Sequence, residues 1–148
     1  MKTAASIAGY AAKFGMWFGG LFKRQRLHFV HQRYRRSMGG WGYQPAMNLM
    51  IDFWVTNSYD FPVKICRGEV KYRTRLRRRI FSRIQVTDYM PPRIAMDFRA
   101  MFPITPPPVP DDKPFQATLF FIDNFNRRHK AGKFVFETHE PNQPCPPD

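Results

Sequence analysis

The stretch Pro45-Ala-Met-Asn-Leu-Met-Ile-Asp-Phe-Trp-Val55 decides what kind of fold this chain adopts. Met47, Met50, Ile51, Trp54 and Val55 recur at i, i+3, i+4, i+7 and i+8, the spacing of one helix face. Pro45 suits the first turn of such a helix, where its missing N–H has no role. The reading is a short packed helix in the middle of the chain.

On the N-terminal side, Ser37-Met-Gly-Gly-Trp-Gly-Tyr43 reads as a glycine-rich loop, without the spacing or the Gly-Lys-Ser/Thr end of a phosphate loop. Before it, Lys23–Arg36 is a basic run interleaved with Phe29 and Tyr34. Earlier still, Thr3–Phe22 is a run of 20 residues whose one charge is Lys13. As a helix at about 1.5 Å per residue it spans about 30 Å, one hydrocarbon core. Ala11, Gly15 and Gly19 line one stripe of that helix, and Gly15–Gly19 is a GxxxG spacing that lets two backbones approach closely in lipid. Lys23, Arg24 and Arg26 follow directly, so the positive-inside tendency keeps that end in the matrix or cytoplasm. A targeting segment or a buried soluble helix is the competing reading.

On the C-terminal side, Val63–Cys66 reads as a short strand turned by Arg67-Gly68. Val70, Tyr72, Thr74 and Leu76 then alternate with Glu69, Lys71, Arg73, Arg75 and Arg77, a strand pattern with basic residues outward. Leu76, Ile80 and Ile84 also fit helical spacing, so a helix or irregular stretch is expected after Leu76. From Lys71 to Arg83 there is no acid, a density that suits phosphate of RNA or of anionic lipid headgroups. Met90-Pro-Pro92 and Phe102–Pro110 run extended or as polyproline II. Asp111 or Asp112 then caps a helix over about 112–131, with Phe115, Leu119, Ile122 and Phe125 on one face and Gly132 just past its end. Phe134–Phe136 is a short strand, and the chain from Pro141 is a loose tail.

Composition narrows the function class. The 148 residues allow one domain and carry 24 Lys+Arg against 11 Asp+Glu, for a net charge of +13. Two Cys exclude a disulfide-stapled secreted module, and 16% aromatic residues argue against a wholly disordered chain. No catalytic constellation emerges. His28 and His31 have no Cys, Asp or Glu nearby to complete a metal site, and Cys66 and Cys145 form no CxxC. No cofactor is implied.

Gly15 and Gly19 in a short apolar helix, the basic flank Lys23–Arg36 and the aromatic, proline-rich remainder resemble supernumerary subunits of mitochondrial respiratory complexes and ATP synthase. The resemblance implies a non-catalytic accessory subunit at the inner membrane, its basic body on the matrix side, with other subunits and an anionic lipid such as cardiolipin as partners. The expected architecture is mostly α: a membrane helix over 1–22, a basic aromatic body over 23–100 with little strand, and a proline-rich part over 101–148. The expected contacts are helix packing through Ala11, Gly15 and Gly19, and phosphate contact through Lys23, Arg24, Arg26, Arg73, Arg75, Arg77, Arg78 and Arg79. The alternative is a mitochondrial ribosomal protein that binds rRNA through the Arg-rich segment.

Overall fold

Every odd-numbered side chain from Met47 to Asn57 is buried, and the even-numbered ones face outward. That is the period of two of a β-strand. The computed structural model describes residues 25–41 and 44–138, and its regular elements are seven strands. They are β1 (Leu27–Trp41), β2 (Gln44–Asn57), β3 (Ile65–Arg73), β4 (Arg78–Ile84), β5 (Ala95–Ile104), β6 (Phe115–Asp123) and β7 (Arg128–Phe136). One sheet has the order β1-β2-β5 and the other β4-β3-β6-β7. All pairings are antiparallel. The three-plus-four arrangement, with β5 crossing back to β2, is a Greek-key β-sandwich.

Phenylalanines fill the space between the sheets. Phe53 of β2 meets Phe29 of β1 at 5.4 Å, Phe121 of β6 at 5.6 Å and Phe134 of β7 at 6.0 Å between ring centroids. Aliphatic neighbours Leu49, Ile51, Val70 and Leu119 are fully buried around them. Gly68 is in the middle of β3 and makes no turn: a Cβ there would lie 2.7 Å from Phe102 Cζ, so its missing side chain is what lets β5 close over the sheet. Pro103 is accommodated within β5 because β5 is an edge strand.

The mostly α expectation is overturned. Among the described residues there is no helix, and so none long and apolar enough to cross a membrane. Pro45–Val55 is the body of β2. The capped helix over 112–131 is the β6–β7 hairpin, in which Phe115, Ala117, Leu119 and Phe121 alternate into the core. The loop expected at Ser37–Tyr43 is taken up largely by the end of β1, paired with β2 as far as Trp41. The stretch after Leu76 is strand β4, and the body expected to hold little strand is built of strands. Phe134–Phe136 is indeed strand, as the end of β7. The helix expected over Thr3–Phe22, with Ala11, Gly15, Gly19, Lys23 and Arg24, lies outside the described residues, as does the tail from Pro141.

Candidate anion-binding face

The outer face of the four-stranded sheet gathers the cations. Strand pairing sets them in rows, because residues opposite one another in an antiparallel pair share a face. One row runs Ile80, Lys71, Thr118, Lys133 across β4, β3, β6 and β7. The row beside it runs Ser82, Glu69, Phe120, Lys130. On the other side Arg73 and Arg78 stand directly opposite each other. Together these strands line a shallow basin of about 490 Å³ bordered by Lys71, Arg73, Arg78, Lys130 and Lys133, with Gln116, Thr118 and Phe120 on its floor.

No carboxylate lines this basin. Among the described residues, no acidic side chain forms an ion pair with any of its five cations. Like charges facing each other across strands, as Arg73 and Arg78 do, destabilise a sheet unless an anion lies between them. The nearest acid, Glu69, is engaged: Arg128 Nε binds it at 3.2 Å, and the Arg128 guanidinium lies 3.7 Å over the Phe120 ring. The remaining polar groups, Thr118 and Gln116, are neutral hydrogen-bonding partners that suit phosphate oxygens.

The structure divides the residues expected to meet phosphate. Arg73 and Arg78 are brought into the basin. Arg75 and Arg77 belong to the β3–β4 turn at its end, and Arg79 pairs with Tyr72 on the other face of the hairpin. Arg26 is outside the basin, just before β1, where its N–H donates to Ser58 Oγ at 2.8 Å. Lys71 belongs to the acid-free run. Lys130 and Lys133 are not expected here from the sequence, which puts Lys130 at a helix end; their place on the shared face is set by the β6–β7 pairing.

The other polar clusters hold the fold. Asp123 closes the β6–β7 turn: Oδ1 accepts the N–H groups of Phe125 (2.8 Å) and Arg127 (2.9 Å), and Oδ2 accepts Arg127 Nε (2.9 Å) and His129 Nε2 (2.8 Å). His129 Nδ1 accepts the Leu27 N–H at 3.3 Å, which fixes the proton on Nε2 and ties β7 to β1. Burial opposes ionisation of Asp123, but the His129 hydrogen bond, the two backbone N–H groups and the Arg127 charge outweigh it and hold its carboxyl below the ordinary value. Arg127 is ringed by Tyr59, Phe61 and Phe125 at 4.0, 5.4 and 4.7 Å, so aromatic faces meet the guanidinium, whose Nη2 has no oxygen partner. On the outer face of the other sheet, Asp52 bridges Arg33 and Arg99 at 2.7 Å each. The Arg99 hydrogen bond first, and then that of Arg33, hold its carboxyl low against the cost of burial. Among the described residues no group of three His, Cys, Asp or Glu could hold a metal ion.

No family model and no curated protein matches the chain. Among solved structures it is similar to the ApaA protein of Bordetella pertussis, at 10% identity and a TM-score of 0.45 over 80% of this chain and 96% of that one. It is also similar to a structural-genomics target solved by X-ray diffraction, at 10% identity and a TM-score of 0.42 over 83% and 92%. Likeness at this level says nothing about activity.

Proposed function

We propose that this chain is a non-catalytic accessory component of a larger assembly, and that it holds a phosphate-bearing partner on the outer face of its four-stranded sheet. The observation that supports it is the basin itself: five cations from β3, β4 and β7, with no carboxylate among its lining residues. Self-repulsion at such a face is relieved when an anion with several charges spans the cations. In this reading the chain is a peripheral subunit on the matrix side of a mitochondrial inner-membrane complex, facing phosphates of a lipid such as cardiolipin. A ribosomal setting supplies the same phosphate from rRNA, but Arg128 occupies the Phe120 ring face that an unstacked base would need.

The test is binding to inorganic polyphosphate across a salt series. The wild type should bind, with affinity falling linearly as log salt rises. Replacing Lys71, Arg73 and Lys133 with Gln should lower affinity at least tenfold and flatten the slope by about 2, since each phosphate left unneutralised removes roughly 0.7–0.9 from it. A triple variant that melts like the wild type and binds polyphosphate equally well would overturn the reading.

A further inference from the structure

We infer that the β3–β4 hairpin is a membrane-docking tip: Leu76 enters the acyl region of an anionic bilayer while Arg73, Arg75, Arg77 and Arg78 hold lipid phosphates around it. The inference rests on the phosphate reading above and names the source of the phosphate.

The turn is built to present its apex. The Thr74 N–H and hydroxyl both donate to the Arg77 carbonyl at 2.9 Å, and Thr74 Oγ1 accepts the Arg77 N–H at 3.2 Å. Arg75 and Leu76 are thereby held at the outermost point of the sheet. Leu76 is 93% exposed. Behind it on the outward face of β4 come Ile80, 56% exposed, and Ile84, 75% exposed, so the exposed apolar residues run in one line beside the cations. A scattered exposed Leu needs no explanation; an aligned row that starts at a fixed apex between arginines does.

Charge and depth select the occupant. From Val70 to Thr87 the chain has no acid, so the surface that meets this hairpin is anionic. An RNA offers phosphate but no apolar phase in which Leu76 can lose its water. An anionic bilayer offers both, in the right order. Arg73 and Arg78 lie two residues behind the apex, about 7 Å at ~3.3 Å per strand residue. Interfacial segments bury their apolar side about 5–10 Å into the headgroup–acyl boundary. Leu76 therefore reaches the acyl chains while the Arg73–Arg78 pair stays level with the phosphates. Arginine's planar fork suits this position, since it grips phosphate bidentately.

The experiment uses the full chain and phosphatidylcholine vesicles with and without cardiolipin. Sedimentation should show cardiolipin-dependent binding, and Leu76→Ser should weaken it about tenfold or more while leaving polyphosphate binding unchanged. With Leu76→Trp, the fluorescence added over the wild type should shift to the blue on cardiolipin vesicles and be quenched by brominated acyl chains. Equal vesicle binding by Leu76→Ser and the wild type, or a Trp signal that stays solvent-like on vesicles, would overturn the docking tip. Binding to polyphosphate or single-stranded RNA without binding to vesicles would overturn the lipid source and leave the phosphate reading standing. Binding to neither polyphosphate nor vesicles would bring down both.

Discussion

Asp123 accepts four hydrogen bonds with no exposed side-chain surface, and that makes it the titrating group on which acid stability turns. Its carboxyl is held below the ordinary value in the folded chain, so the unfolded chain takes up the proton first as pH falls. The stability it contributes is complete above the ordinary carboxylate range and is lost as pH falls through the lowered folded value. Asp123→Asn would set an amide nitrogen either against both His129 Nε2–H and Arg127 Nε–H or against the N–H groups of Phe125 and Arg127. We expect it to cost about 3–5 kcal/mol at neutral pH and to flatten the acid side of the stability curve. Urea denaturation across a pH series checks this, and equal acid slopes for the two proteins would refute it. Gly68 sets a second single-residue constraint. Gly68→Ala places a methyl 2.7 Å from Phe102 Cζ and 3.1 Å from Phe121 Cε1, and should destabilise by about 1–3 kcal/mol without altering polyphosphate binding.

At the scale of elements, β4 is an edge strand with an unpaired ladder on its outer side. Arg79 and Arg83 pair with Tyr72 and Gly68, so they stand on the side of β4 that faces the core, at its open margin. Charges so placed keep another strand from adding to the sheet. Replacing both with Thr should make the protein associate at concentrations where the wild type is monomeric, as read by light scattering; a variant that stays monomeric would show that the edge is protected by other means. The same elements explain what can be read from sequence. In β2 the inward set Met47, Leu49, Ile51, Phe53 and Val55 is a strand pattern, but the outward Met50 and Trp54 complete a helical one. Outward apolar residues are tolerated because long cations lie over them: Arg35 Nη2 is 3.5 Å from Met50 Sδ, and Arg128 covers Phe120 in β6. With Ile122 also partnered outward to Arg128 in the pairing, β6 likewise matches a helix better than a strand. The alternation at Glu69–Arg77 is legible because its outward positions are nearly all charged. That Arg73 and Arg78 share a basic face is legible because their run has no acid, whereas Lys130 and Lys133 join them only through pairings between strands distant in sequence.

For the whole molecule, a net charge of +13 on a chain of 148 residues means that folding brings like charges together. Raising salt, and sulfate or phosphate salts above all, should raise the melting temperature through screening and exclusion from the surface. The Lys71, Arg73 and Lys133 triple Gln variant should gain less from salt than the wild type; an equal gain would mean that the repulsion lies elsewhere. The fixed apex at Arg75-Leu76-Arg77 has one more consequence. Arg75 and Arg77 are exposed trypsin sites in the turn between β3 and β4, so a brief digestion should nick the sandwich there. The cut would separate β1–β3 from β4–β7, yet β5 stays bonded to β2, and β6 to β3, across the break. The two pieces should therefore remain one particle on a sizing column and part only in denaturant, which would make this turn the natural place to divide the chain for a split-protein reporter.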